Sequence, residues 1–304
     1  MNHKAGYVSI IGKPNAGKST LLNALLSQKL SIVSDKPQTT RKTVLGILSE
    51  EDYQIIFLDT PGILNPKYLL QDRMLDFIKR SIDDADLLLF IYDVSTPKEL
   101  KNLFEDKNLI ELLDQTSTPK VLLLNKVDLS NEVKIKSLIE EAEKYNIFKK
   151  VIPVSALLTF NIDSVRQEIL EYLPEHPKYY PEDITSSENE RFFVSEIVRE
   201  KIFDLYREEV PYSCETVVEE FKERENGKYF ISVIIYAEKD SQKKIIIGKG
   251  GTLIKKVGEE ARKDIEKFLN KEVYLELRVK VKENWRNSEN MMKFFGYTPF
   301  KDNG

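Results

Sequence analysis

Cysteine is nearly absent from this chain: Cys214 stands alone among 304 residues. No internal disulfide can form, and a reducing, cytoplasmic setting is expected. Long apolar runs are missing too. Runs such as LLLFIY at 87–92 fall far short of the roughly 20 residues of a membrane-spanning helix, so no transmembrane segment is expected. The first residues, MNHKAGYVSIIG, turn strand-like too early for a signal peptide, and none is expected. No internal repeat and no low-complexity tract occurs. What remains is a globular composition, 41% hydrophobic and 32% charged, with length for about two domains.

The net charge of −4 is unevenly spread. Residues 1–190 carry 23 basic and 29 acidic side chains, residues 191–240 carry 8 and 12, and residues 241–304 carry 15 and 9. The basic excess belongs to the last fifth of the chain. A solvated helical face would explain it, and so would a polyanion footprint, provided a motif supports one.

Apolar runs at 6–12, 53–58, 86–92, 120–124 and 150–154 alternate with helical periodicity at 18–28, 69–85, 100–115, 131–146 and 161–173. Nearly all-apolar strands alternating with helices predict an α/β domain, a mostly parallel sheet covered on both faces. Residues 43–51 read as a further strand at an antiparallel edge. The pattern breaks at LPEHPKYYPEDITSSENE, 173–190, whose three prolines and polar residues read as a linker. A helix at 191–208, strands at 215–224 and 229–238, a glycine turn, a helix at 252–269 and a strand at 273–281 then predict a smaller α+β domain. The expected division is 1–175, a linker at 176–190, and 191–298.

GKPNAGKST, residues 12–20, matches GxxxxGK[ST] between a predicted strand and a predicted helix, the context that makes this a phosphate loop. Gly12, Lys13, Pro14, Asn15, Ala16, Gly17, Lys18, Ser19 and Thr20 are its candidates. Backbone N–H groups would line phosphate oxygens, Lys18 would reach the β and γ phosphates, and the Ser19 hydroxyl would ligate Mg²⁺. Three further segments end predicted strands, where open α/β sheets bind ligands. In Asp59-Thr60-Pro61-Gly62, the acid can hold Mg²⁺ through water and the glycine N–H can meet the γ-phosphate. In Asn125-Lys126-Val127-Asp128, the Asp128 carboxylate can accept from N1–H and the exocyclic amine of guanine, a pair adenine lacks, and Lys126 can lie over the base. In Ser155-Ala156-Leu157, a backbone N–H can meet guanine O6.

Together these segments resemble the translation-factor-related P-loop GTPases over residues 5–173. That resemblance implies GTP and GDP as ligands, and Mg²⁺ held by Ser19, Asp59 and a switch threonine, for which Thr39 and Thr40 are available and Thr40 is preferred. Catalysis would draw on Lys18, Thr40, Gly62 and Asn15. The residue after DTPG is Ile63, where Ras-like enzymes carry a glutamine that orients water, so slow intrinsic turnover is expected. Asn15 occupies the position of a cation-binding asparagine in potassium-activated GTPases. It could bind K⁺ or simply fit the turn.

The last domain carries its own loop. Gly248-Lys249-Gly250-Gly251 matches GxxG between two helical segments, and the helix after it has apolar residues at 253, 254, 257, 261, 265, 268 and 269 on one face. This resembles a KH domain of αββααβ order, in which the GxxG turn clamps the backbone of about four single-stranded nucleotides. Candidate RNA-binding residues are Ile247, Gly248, Lys249, Gly250, Gly251, Lys255 and Lys256. Trp285, Phe294, Phe295 and Tyr297 could stack on bases or pack the tail onto the domain, packing being the favoured reading for Phe294.

A P-loop GTPase domain followed by a KH domain, with the ending NWRNSENMMKFFGY, resembles the bacterial ribosome-assembly GTPases over nearly the whole chain. The resemblance implies a monomeric switch whose partners are the 3′ end of 16S rRNA and the 30S subunit. Any membrane contact would be peripheral, on the inner face. Two other readings stay open: a binding module whose nucleotide does not turn over, and a GTPase serving RNA modification or large-subunit assembly.

Overall fold

The computed structural model describes residues 3–96, 100–101, 105–114, 116–225 and 227–297. It divides into two compact units, Met1–Asn65 with Met74–Ser187, and Pro66–Arg73 with Glu188–Gly304.

The first unit is built on β1 (Lys4–Gly12), α1 (Lys18–Leu26), β2 (Val44–Ser49), β3 (Tyr53–Asp59), α2 (Leu69–Asp83), β4 (Leu87–Asp93), α3 (Lys107–Asp114), β5 (Lys120–Asn125), α4 (Glu132–Lys144), β6 (Lys150–Val154) and α5 (Ile162–Tyr172). Its six strands lie in the order β2-β3-β1-β4-β5-β6. Only the β2–β3 pairing is antiparallel, as 43–51 predicted. The strands are apolar on both faces because helices cover both. Ile11, Phe90, Leu122 and Leu124 pack with Ile78 and Ile82 of α2, Leu109 and Leu113 of α3, and Ile135 and Leu138 of α4, while α1 and α5 lie against β1 and β6. Each fully buried side chain of this size contributes about 1.5–3 kcal/mol. Registers Ile10↔Asp59, Gly12↔Ile91, Asp93↔Asn125 and Asn125↔Val154 bring the carboxyl ends of five strands to one edge. The helix expected over 100–115 is observed as α3, with 102–104 and 115 outside the described residues.

The proline-rich stretch after α5 is tied to the β2–β3 side of this sheet. Ile47 N–H donates to Thr185 O (2.8 Å) and Ser186 Oγ to Leu45 O (2.5 Å). The buried Gln54 side chain donates to Tyr180 O (2.8 Å) and accepts from the N–H groups of Tyr179 and Tyr180.

The second unit contains α6 (Glu190–Leu205), β7 (Cys214–Glu223), β8 (Tyr229–Ala237), α7 (Asp240–Ile247), α8 (Thr252–Leu269), β9 (Val273–Val281) and α9 (Glu289–Phe294). Asn189 starts α6 as a cap, accepting from Phe192 N–H at 3.0 Å. β8 is central in the sheet β7-β8-β9, antiparallel to β7 and parallel to β9. The parallel pair requires a crossover, which α7, the glycine turn and α8 supply. Val198 and Ile202 of α6, Ile246 of α7 and Val257, Ala261 and Ile265 of α8 meet Ile231, Val233 and Ile235 of β8 in one core. Leu253 does not reach that core. It lies beneath the turn, where a Cβ on Gly248 would come within 2.7 Å of its Cγ.

The tail corrects one expectation. Trp285, Phe295 and Tyr297 are buried, with Trp285 Nε1–H donating to Ser213 O (2.9 Å) and Tyr297 O–H donating to Glu215 Oε2 (2.5 Å). Phe294, for which packing was the favoured reading, packs only in part: its ring meets Tyr236 and Phe295, with centroids 6.0 and 5.3 Å away, and the residue is 56% exposed. Phe295 takes the place between Trp285 and Tyr236, with ring centroids 5.1 and 5.3 Å away, and one position of helix rotation leaves its neighbour outside.

Candidate functional site

The loop between β1 and α1 bends where its residues permit it. Gly12 (φ 152°), Asn15 (φ 62°) and Gly17 (φ 101°) take positive φ, and a Cβ on Gly17 would meet Asn125 Nδ2 at 2.3 Å. Gly17 is the cap residue of α1 and supplies no side-chain hydrogen bond, so the first N–H groups of the helix face the cleft beyond the strand ends. Lys18 is buried and its ammonium donates to Lys13 O (3.1 Å) and Gly12 O (3.3 Å). Burial lowers its pKa to about 8, against the opposing pull of the Asp59 carboxylate.

The three expected metal ligands converge. Ser19 Oγ lies 2.7 Å from Asp59 Oδ2 and 2.8 Å from Thr40 Oγ1. Thr39 is elsewhere: its hydroxyl closes its own turn on Lys36 O (2.7 Å). Asp59 is fully buried, and its Oδ1 has no hydrogen-bond partner among the described residues. Burial pushes its pKa up, while the Ser19 hydroxyl and Lys18 hold it down. A buried carboxylate oxygen without a partner beside two hydroxyls is a donor set that suits a hard, oxygen-seeking cation such as Mg²⁺. Thr60 anchors the strand end by donating to Ile10 O (2.8 Å), and Ile63 N–H donates to Gly12 O (3.0 Å). Gly62 approaches the phosphate loop so closely that a Cβ would lie 2.7 Å from Pro14 Cα.

At the other end of the cleft Asn125 has a role that the motif alone does not disclose. Its amide donates to Ala16 O (2.8 Å) and its carbonyl oxygen accepts from Ala156 N–H (2.9 Å). It therefore braces the phosphate loop against the 155–157 segment. Lys126 is held by Asp93 Oδ2 at 2.7 Å, and Asp93 is itself fixed by Ser95. Asp93 was not foreseen from the sequence; its position at a strand's carboxyl end was the available signal. Asp128 is exposed to the cleft. Asn15, Lys18, Ser19, Thr40, Gly62, Asn125, Lys126, Asp128, Ser155 and Leu157 all line this one cleft of about 330 Å³. The 32–40 segment forms its near wall, where Asn15 Nδ2 donates to Asp35 O (2.6 Å). The arrangement can cradle a chain of phosphates at one end and read a base edge with a carboxylate at the other.

The second unit presents the other loop. Gly248 (φ 74°), Gly250 (φ 61°) and Gly251 (φ 78°) all have positive φ. Nothing stands within 4 Å of a Cβ built on Gly250 or Gly251, and Lys249 is exposed. Ile246, not its neighbour Ile247, is the isoleucine fully buried in the core; Ile247 is half-buried beside the turn. Beyond the turn, α8 and the edge strand β9 enclose a groove lined by Ile254, Lys255, Gly258, Glu259, Arg262, Tyr274, Leu275 and Leu277. Lys255 is in it, and Lys256 lies on the exposed side of the same helix. Gly258 keeps the helix near the strand, a Cβ there lying 3.5 Å from Leu277 Cδ1. A mid-helix glycine was the one sequence sign of that close approach. No helix among the described residues is long and apolar enough to cross a membrane.

Comparison with known proteins agrees with both halves. The 50S ribosome-binding GTPase family matches residues 7–126, and the KH domain family matches residues 209–286. The chain is 44% identical over 302 residues to GTPase Era of Ruminiclostridium cellulolyticum, covering 99% of this chain and 100% of that protein. It is 47% identical over 302 residues to the chloroplastic GTPase ERA1 of Zea mays, covering 97% and 71%. Among solved structures, Era in complex with MgGDPNP and nucleotides 1506–1542 of 16S ribosomal RNA matches with a TM-score of 0.91 at 38% identity, over 98% of this chain and 100% of that one. A variant of Aquifex aeolicus Era bound to GDP·AlF₄⁻ matches with a TM-score of 0.91 at 40% identity, over 97% and 100%. With its phosphate loop, its guanine-side segments and its KH domain in one continuous match, the chain belongs to the Era family of GTPases.

Proposed function

We propose that this GTPase is a switch whose nucleotide state sets the affinity of its KH domain for the 3′ end of 16S rRNA, and that it serves assembly of the small ribosomal subunit. The observation that carries the nucleotide half is the meeting of Thr40 and Asp59 on the Ser19 hydroxyl, each within 3 Å of it, beside Lys18. Thr40 stands on the 32–40 segment and Ser19 at the start of α1, just after the phosphate loop, so a ligand touching both ties one wall of the cleft to the other. The RNA half is supported by the related Era captured with that rRNA segment, and by the open GKGG turn and groove here.

Each group's task in hydrolysis follows from its place. The backbone of 12–19 and the buried Lys18 hold the phosphates and offset their charge. Ser19, Thr40 and Asp59 would hold Mg²⁺, which when bound neutralises charge on the phosphate oxygens. The Gly62 N–H, close against the phosphate loop, would meet the γ-phosphate. Asp128 selects guanine, Lys126 covers the base under the control of Asp93, and Asn125 keeps base side and phosphate side in register. Ile63 can neither donate to nor accept from a water, so the attacking water must be oriented from elsewhere, and unassisted turnover is slow.

The family that matches residues 7–126 is described by 50S binding, which favours large-subunit assembly as a second reading. Cross-linking RNA to the protein in cells and sequencing it separates the two. Reads concentrated at the 3′ end of 16S rRNA are expected; reads concentrated on 23S rRNA would transfer the function to the large subunit.

A further inference from the structure

The three-stranded sheet of the second unit has a face turned away from its helices. By strand alternation that face carries Phe230, Ser232, Ile234 and Tyr236 from β8 and Tyr274, Glu276, Arg278 and Lys280 from β9. The tail covers one end of it, with Phe295 against Tyr236 at 5.3 Å. At the other end Phe230 and Tyr274 are register partners, and their rings stack at 5.8 Å with planes 16° apart. The Arg224 guanidinium lies over both, 4.8 Å from the Phe230 centroid and 5.4 Å from that of Tyr274. Tyr274 remains 58% exposed and also lines the α8–β9 groove. It therefore stands where the groove meets the edge of that face.

We propose that the exposed ring of Tyr274, held by Phe230 and Arg224, is a base-stacking site that takes a single-stranded RNA nucleotide beyond those clamped at the GKGG turn. The inference rests on the reading of this domain as an RNA binder and extends its footprint. Three features favour RNA as the occupant. The site is continuous with the groove, whose lining begins at Ile254, about one helical turn past the GKGG loop. α8 and β9 run antiparallel, so Tyr274 lies toward the far end of α8. Arg262, which lines the groove together with Tyr274, stands past the middle of α8, eleven residues after Gly251, or about 16 Å of helix. A GxxG clamp covers about four nucleotides, so a longer strand leaving the turn along the groove arrives at this ring. Finally, the charge is right: Arg224 and Arg262 flank the ring, and the neighbouring acids Glu259 and Glu272 stand in ion pairs with Lys255 and Lys228. An aromatic face beside an arginine is a sequence-tolerant platform for a base. A cross-strand pair serving only the sheet is the competing explanation, and the experiment separates them.

The test uses the full chain and nested oligonucleotides from the 3′ end of 16S rRNA, lengthened from four to ten nucleotides at either end. In the wild type, affinity should step up by about 5- to 160-fold when the strand becomes long enough to reach the ring. Tyr274→Ala should abolish that step and leave the shortest binding oligonucleotide unaffected, and Tyr274→Phe should keep it, since stacking needs no hydroxyl. Lys249→Asp should weaken every length alike. If Tyr274→Ala lowers thermal stability and leaves the step intact, the ring serves only the sheet and the proposal fails. If Tyr274→Phe loses the step as well, the contact is a hydrogen bond and stacking is wrong. If the wild type binds none of the oligonucleotides, the RNA-binding reading falls, and the stacking site with it.

Discussion

Removing the Asn125 side chain should destabilise the nucleotide-free protein. Asn125 is 2% exposed and joins two backbone groups that are themselves buried, the Ala16 carbonyl and the Ala156 N–H. In Asn125→Ala both lose their partner. A buried polar group left unsatisfied costs about 1–3 kcal/mol; the gap left by the truncated side chain can take a water that meets part of the demand, so the expected loss for the two is ~2–4 kcal/mol. The molecule supplies its own control. Its single tryptophan, Trp285, is buried in the second unit, so tryptophan fluorescence follows that unit while far-UV circular dichroism follows both. In urea, with a slope of about 1–3 kcal/mol per M, the dichroism transition of the first unit should move down by roughly 1–2 M. The tryptophan transition should stay in place. GDP and GTP should weaken by a common factor, because neither hydrogen bond involves the γ-phosphate. A change below about 0.5 kcal/mol, the size of an ordinary surface substitution, would refute the argument that Asn125 holds the two sides of the site together.

Other consequences follow from individual groups. Asp128→Asn should weaken GTP and favour xanthosine triphosphate, whose 2-oxo group accepts where guanine donates; an unchanged preference in parallel titrations would take Asp128 out of the base site. Lys18 has its pKa lowered from 10.5 to about 8 by burial. The folded chain therefore holds this proton less tightly than the unfolded one, and nucleotide-free protein should gain up to ~3 kcal/mol as pH rises from about 8 to about 10.5. Lys18→Met should flatten that rise in pH-dependent denaturation. Turnover should be faster in KCl than in NaCl at equal ionic strength, with Asn15→Ala removing the difference; equal rates would leave Asn15 as a turn residue that fastens to Asp35. Gly250→Asp should cut single-strand RNA affinity and spare GTP hydrolysis: no neighbour stands in the way of a side chain, aspartate tolerates the left-handed φ of 61° better than most residues, at some local strain, and the position lies far from the nucleotide in sequence.

The alternation of apolar strands and periodic helices was legible because both faces of the first sheet are covered, so burial wrote itself into every strand. The phosphate loop was legible because each of its residues answers to a local demand: positive φ at Gly12 and Gly17, a cation at 18, a hydroxyl at 19. What could not be read lies in contacts between distant positions. Asn125 was read as part of a base-binding segment, but its amide is spent on residues 109 positions before it and 31 after it. The Asp93–Lys126 pair has the same character. Residues 173–190 read as a linker from their prolines and polar side chains, which report on secondary structure and are silent about hydrogen bonds to Leu45, Ile47 and Gln54. Phe294 and Phe295 differ in burial because of helix phase in a short terminal helix, too brief for periodicity to settle.

The central claim is that nucleotide state governs RNA affinity, and it is tested by titrating one oligonucleotide from the 3′ end of 16S rRNA against the protein loaded with GDP or with a non-hydrolysable GTP analogue. The analogue-bound form should bind more tightly, by a factor in the range of about 5–150 usual for coupled sites. RNA should tighten the analogue by the same factor, because the linkage is reciprocal. Equal RNA affinity in the two states would contradict the account and leave two independent domains on one chain.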